Sequence, residues 1–173
     1  MEEDPNYKTI KRTEKLRVRD RETVEEILKN CDVCRIALNA GGGQAPYIVP
    51  MNFGYEYDDD GLILWIHCAK KGRKLDLIAE NPLAGLEMDT DHELRTSEAT
   101  SCEYGMNYSS LIGEGRISVA DESEKMHGLE CIMAHYGGGG LPFDQAVVAK
   151  TCVLRLDVTD ISGKRLQWVF AKK

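Results

Sequence analysis

The stretch from Pro46 to Pro82, PYIVPMNFGYEYDDDGLILWIHCAKKGRKLDLIAENP, constrains the fold more than any other part of the chain. Tyr47 to Tyr57 and Leu62 to Cys68 are apolar and aromatic runs of strand character. Between them, Asp58-Asp59-Asp60-Gly61 carries the Asp-Gly signature of a tight hairpin turn. Pro50 removes one ladder hydrogen bond, so it marks an edge, a bulge or a barrel corner. On strand alternation, Ile63, Trp65 and His67 share one face and Leu64, Ile66 and Cys68 the other. Both faces are largely apolar, which predicts a strand covered on both sides. A short helix over Arg73 to Glu80 follows, with Leu75, Ile78 and Ala79 turned inward. Asn81-Pro82 ends it, because proline disfavours helical geometry in the residue before it.

The start of that helix is the best local site in the sequence. Unpaired backbone N–H groups and the helix dipole both favour an anion there. Arg73 offers a fork matched to phosphate oxygens, and Lys74 a compact charge. Two cations in succession oppose the dipole unless an anion sits between them. On spacing alone, a solvated basic helix start accounts for the residues equally well. A phosphate site beside apolar, aromatic strands suggests a phosphorylated aromatic cofactor. His67 is read either as a packed core group or as a proton shuttle or ligand donor. Tyr55, Tyr57, Trp65, Tyr108 and Trp168 are read as packing residues that can also supply ring contacts.

The rest of the chain fills in around this segment. Residues 1–21 are polar, with Arg17, Arg19 and Arg21 alternating, and read as a solvated lead-in or a strap. Thr23-Val24-Glu25-Glu26 has the form of a capping box, and Val24, Ile27 and Leu28 form the apolar stripe of a helix ending near Asn30. Val33 to Leu38 reads as a strand, Gly41-Gly42-Gly43 as a turn and Leu83 to Met88 as another strand. Residues 89–101 read as a polar loop. Leu111 to Ala120 is a strand in which Gly113 and Gly115 suggest a bulge or a close backbone approach. Asp121 is placed as the cap of a helix with Met126, Leu129, Met133 and Tyr136 as its stripe. Val153 to Val158 and Leu166 to Phe170 are the last strands. About six or seven strands with three helices make a β-rich α+β domain, a small antiparallel barrel, spanning residues 1–173 as one unit.

Composition narrows the function. The net charge of −7 argues against a general nucleic-acid or anionic-membrane binder. No apolar run reaches the roughly 20 residues needed to span a bilayer, and the charged start lacks a signal-peptide core. The expected compartment is the cytoplasm, so the six cysteines are expected as reduced thiols. Cys31 and Cys34 have C-x-x-C spacing but sit at a helix-to-strand junction, and read as structural thiols. His127, Cys131 and His135 recur at i, i+4, i+8 on one helix, a metal-like arrangement. They drift about 40° per step and lack an evident fourth ligand, so no metal is assigned.

PYIVPMNFGYE, WIHCAKKGRKLDLIAENP and CEYGMNYSSLIGEGRISVADESEKMHGLECIMAHY together resemble the pyridoxamine 5′-phosphate oxidase-like superfamily. Within it they resemble the nitroimidazole-resistance (NimA-type) branch, from about Arg17 to Gly163. The resemblance implies an FMN-binding split β-barrel that works as a homodimer with FMN at the subunit interface. It implies that Arg73 and Lys74 hold the phosphate and that Val49, Pro50, Met51 and Asn52 line the ring edge, partly through backbone groups. His67 and Cys68 would flank the ribityl chain and ring. Ser109 and Ser110 would come from a neighbouring strand or the partner subunit. His67 matches the residue expected to act near the substrate. Two features depart from the pattern: the chain ends in GKRLQWVFAKK rather than an Arg-x-His segment, which argues against vitamin B6 oxidation, and Cys68 stands where serine is frequent. The reading is an FMN-dependent oxidoreductase passing electrons or hydride to a small acceptor such as a nitroaromatic or quinone. A non-catalytic flavin carrier, or a haem- or zinc-binding protein on the same barrel, is the alternative.

Overall fold

The computed structural model describes residues 16–18 and 20–167. Expectations placed on Arg19, on Trp168, on the strand end at Phe170 and on most of the lead-in lie outside the described residues. Strands are β1 (Arg17–Val18), β2 (Cys34–Leu38), β3 (Tyr47–Met51), β4 (Phe53–Asp58), β5 (Gly61–Ala69), β6 (Leu83–Arg95), β7 (Gly105–Val119) and β8 (Thr151–Leu166). Helices are α1 (Arg21–Asn30), α2 (Arg73–Glu80), α3 (Lys125–His135) and α4 (Gln145–Val148), with a short 3-10 turn at Ser101–Glu103.

The strands pair in the order β3-β2-β6-β7-β8-β5-β4, with β1 added to β8, and every pair is antiparallel. The two ends of that path, β3 and β4, follow each other in the chain with only Asn52 between them. The sheet therefore curls until its outer strands meet at one residue, which makes it a split barrel. Pro50 sits in one of these outer strands, where a missing N–H is tolerated.

Strand alternation sorts the core into two clusters. Leu62, Leu64 and Ile66 point into the barrel with Ile36, Leu38, Phe53, Leu86, Met88, Leu111, Ile117, Leu154 and Leu156. Val24, Ile27 and Leu28 of α1 complete this interior. The opposite face of β5 gives Ile63 and Trp65 to a second cluster with Leu129, Ile132, Val148 and Val153. Helix α3 lies so close over β4 that a Cβ on Gly54 would meet the Cys131 carbonyl carbon at 2.3 Å. Any side chain there would lift the helix.

Several boundaries differ from the sequence reading. Asp20, not Thr23, caps α1: its carboxylate accepts from the Thr23 amide at 2.9 Å. That same bond holds the Asp20 carboxyl below its ordinary value. The expected strand over Tyr47 to Tyr57 breaks at Asn52. β6 continues through polar residues to Arg95, carried past a register shift between Thr90 and Glu93 by Asp91 at φ 57. The expected Val153 to Val158 strand runs on as β8 through Ser162-Gly163 to Leu166 without a turn, and residues 168–170 of the other expected strand lie outside the described residues. In α2 the buried residues are Leu77 and Ile78, while Ala79 is exposed. In α3 the buried positions are Lys125, Gly128, Leu129 and Ile132, one step around from the expected stripe. The β7 glycines meet the expectation: register shifts between Glu114 and Gly115, where a Cβ would meet the Asp157 carbonyl oxygen at 2.2 Å. No helix of the described residues is long and apolar enough to cross a membrane.

Candidate functional site

β5 ends at Ala69, three residues bridge to α2, and the helix opens at Gly72. Gly72 adopts φ 138, and no side chain caps the helix. Only glycine takes that conformation without strain, and with no side chain at the cap the first amides keep their donors free. The Leu75 and Asp76 amides bond the Gly72 carbonyl, so the amides of Arg73 and Lys74 are the ones left without an intrahelical acceptor.

The two cations at this start have no carboxylate partner among the described residues. The Arg73 guanidinium lies 4.7 Å from the Tyr47 ring centre. The Lys74 ammonium lies 3.4 Å from the Met51 thioether, a weak acceptor. Free amides, a guanidinium and an ammonium thus belong to one helix start, with the two side chains laid against opposite ends of β3, and these are the donor types a phosphate requires. The residues present therefore fit a phosphate-bearing cofactor.

Cys68 and Met51 join this corner. Burial pushes the Cys68 thiol up to about 11; the nearby Lys74 charge opposes the rise, and Cys152, its register partner on β8, adds to it. Cys68 is thus a neutral thiol. On β3, Tyr47, Val49 and Met51 turn toward the barrel interior, while Ile48 and Pro50 face out. Among the described residues β3 pairs with β2 alone, which leaves its other backbone edge without a strand partner there. Asn52 is exposed, and its amide donates to the Tyr136 hydroxyl at 3.2 Å.

His67 is exposed, and its ring has no hydrogen-bond partner among the described residues. It stands at the rim of a cavity of about 360 Å³ walled by Leu129, Ile132, Met133, Phe143 and Val148. A packed core histidine is therefore not what the strand end holds. The far wall, residues 141–148 with α4, escaped the sequence reading; Leu141-Pro142-Phe143 after four glycines was its only signal. A larger cavity of about 510 Å³, between β2, β6 and β7, touches none of the expected site residues.

The two serines separate. Ser109 is fully buried, and its hydroxyl accepts from Arg165 Nε at 3.1 Å. Ser110 points to the other face of β7, opposite Asp89 and Lys164 in register. Cys31 and Cys34 are buried and free, and desolvation pushes both thiols up to about 12, the behaviour of structural thiols. The expected His127, Cys131, His135 row divides. The His135 ring packs 4.5 Å from Phe53 and its Nε2 meets the Cys31 carbonyl at 2.8 Å. His127 and Cys131 instead gather around Glu56.

An antiparallel sheet closed at Asn52, with a cationic, uncapped helix start beside its outer strand, defines the split-barrel class of cofactor-binding domains. The pyridoxamine 5′-phosphate oxidase model matches residues 20–165, and the chain belongs to that family. The superfamily expected from the sequence is thus the one found. A provisionally assigned 5-nitroimidazole antibiotic resistance protein from Bacteroides thetaiotaomicron is 28% identical, with a TM-score of 0.72 over 86% of this chain and 85% of its own. An FAD and heme binding protein from Mycobacterium smegmatis superposes with a TM-score of 0.75 at 21% identity, over 88% of this chain and 74% of that one. The flavocytochrome Anf3 from Azotobacter vinelandii gives 0.72 at 22% identity, over 88% and 70%. The last two likenesses speak for the fold alone. No curated protein matches the chain.

Proposed function

We propose that this chain binds FMN as a homodimer and reduces a small acceptor such as a nitroaromatic or quinone. The observation that carries this reading is the uncapped start of α2 with two cations that have no carboxylate partner among the described residues, in a chain of a flavin-binding family. The 5-nitroimidazole assignment of the Bacteroides relative favours a nitroaromatic acceptor. When bound, FMN would supply two-electron or hydride chemistry, which no side chain here can supply.

The chain's own residues do the rest. Arg73, Lys74 and the free amides behind Gly72 hold the phosphate. Val49, Pro50, Met51 and Asn52 offer the ring an open backbone edge, and Cys68 a neutral thiol. Ser109 is already engaged by Arg165, so Ser110 is the serine free to contact a cofactor. His67, unengaged at the rim of an apolar cavity, orients the acceptor and donates a proton to it. Leu129, Ile132 and Phe143 keep water from that acceptor. All six cysteines are free thiols, which suits the cytoplasm.

The test is a visible spectrum of the purified protein, then FMN titration by fluorescence on wild type and on the Arg73→Ala, Lys74→Ala double variant. The expected result is a flavin spectrum and a double variant that is folded but no longer binds FMN. Unchanged affinity in the double variant would overturn the site. Turnover with a nitro acceptor separates an enzyme from a carrier, and sedimentation gives the oligomeric state.

A further inference from the structure

Glu56 on β4 and His127 and Cys131 on α3 bring a carboxylate oxygen, a ring nitrogen and a sulfur within 4.8 Å of one another. His127 Nε2 lies 2.8 Å from Glu56 Oε1 and 3.6 Å from Cys131 Sγ. Tetrahedral zinc, with bonds of about 2.3 Å to sulfur and about 2.0–2.1 Å to nitrogen, needs those two ligands roughly 3.6 Å apart. The observed separation fits two ligands of one ion, and Glu56 Oε1, now hydrogen-bonded to the ring, would move back by about half an ångström to join them. The carboxylate and the thiol both close on the one ring nitrogen Nε2, which has a single hydrogen or lone pair to share between them.

The surroundings fix the cluster. Trp65 Nε1–H donates to the other Glu56 oxygen at 2.6 Å, leaving Oε1 to face the imidazole. A donor of this kind orients a ligating carboxylate. Trp65 is itself only 1% exposed, and a Cβ on Gly128 would meet its ring at 2.7 Å, so the tryptophan is locked under α3. The close approach of Gly54 to Cys131 sets the spacing between β4 and α3 by backbone contact. Burial, with Glu56 and Glu130 beside it, pushes the Cys131 thiol up to about 11. A cation held there would reverse that preference, and the thiol proton would leave to solvent as the metal–sulfur bond forms.

We infer that Glu56, His127 and Cys131 form a site for a zinc-type divalent cation, with a fourth position open to solvent, that ties α3 to β4. One carboxylate, one imidazole and one thiolate are a donor set suited to zinc among abundant divalent ions. The site is separate from the α2 start and does not depend on the flavin reading.

The experiment treats the purified protein with chelator, removes the chelator, and titrates first Co²⁺ and then Zn²⁺. Wild type is expected to take up one cobalt per chain with a thiolate-to-cobalt charge-transfer band and the intense visible bands of four-coordinate cobalt. Zinc should then displace the cobalt. Cys131→Ser should abolish the charge-transfer band and weaken zinc binding by more than roughly tenfold. Glu56→Gln should weaken it as well. Cys102→Ser, at an exposed cysteine elsewhere, should leave both signals intact. Melting curves in chelator show whether each variant folds as wild type does, and zinc should raise the wild-type Tm but not that of Cys131→Ser. A wild type that binds zinc no better than Cys131→Ser, or a charge-transfer band that survives in that variant, overturns the site.

Discussion

The two faces of β5 do different work, although they belong to the same nine residues. Leu62, Leu64 and Ile66 face a closed interior of apolar side chains. Ile63, Trp65 and His67 face α3, where the layer is thinner and contains an indole bonded to a carboxylate, an unengaged imidazole and a cavity. The first face is closely packed apolar core, and the second carries the polar contacts and the cavity.

That contrast can be broken most directly from the inside. Leu64→Ala should cost about 2–5 kcal/mol in urea unfolding, because the barrel cannot collapse onto the lost volume. A cost within the range of a surface substitution would abolish the distinction between the faces. Alkaline pH strains the same interior. The Cys31 and Cys34 thiols ionise near 9.0 ordinarily but only near 12 when buried. The unfolded chain therefore loses protons first. Their contribution is complete below pH 9.0 and is lost as pH rises toward 12. Denaturation midpoints should fall above pH 9.0, and a flat profile would contradict the burial.

On the outer face the effects should shrink. Trp65→Phe keeps most of the packing but removes the donor to Glu56, and should cost about 1–3 kcal/mol. Equal stability in a denaturant titration would mean that water replaces the indole N–H. The Arg73→Ala, Lys74→Ala variant should change unfolding by no more than about 0.5 kcal/mol. Its FMN affinity should collapse, as read by fluorescence quenching. His67→Ala, at an exposed position, should alter neither stability nor FMN binding yet lower turnover. Undiminished rates would remove its role as proton donor.

The sequence revealed most where one signal governed the outcome locally. Asp58 to Gly61 is a tight turn, with the Asp60 amide bonded to the Asp58 carboxylate and Gly61 at φ 131. The limits of α2 follow from glycine at one end and Asn81-Pro82 at the other. The β7 glycines announced their close approach to β8. Reading failed where pairing overrode composition. Residues 89–95 look like a loop because they are polar, yet β7 supplies the ladder that extends β6 through them. Similarly, Ser162-Gly163 resembles a turn, but β7 holds it in a continuous strand. The alternation of β5 predicted correctly that His67 shares a face with Trp65, but not that the face thins enough to expose it. Glu56 was invisible as a neighbour of His127 because 71 residues separate them. His135 left the row because eight residues carry a side chain about 80° around a helix.

Tyr136 ends α3 and stitches the barrel's closing point. Its hydroxyl donates to the Asp32 carbonyl at 2.6 Å and accepts from the Asn52 side chain and the Phe53 amide, each at 3.2 Å. These ties reach across 83 to 104 residues of intervening chain. Joining such distant segments costs more loop entropy than zipping neighbouring hairpins, so the stitch is one of the last events on the way to the native state. Tyr136→Phe should then accelerate unfolding in stopped-flow traces while leaving the refolding limb where it was. A slower refolding limb would instead make this tyrosine part of the nucleus.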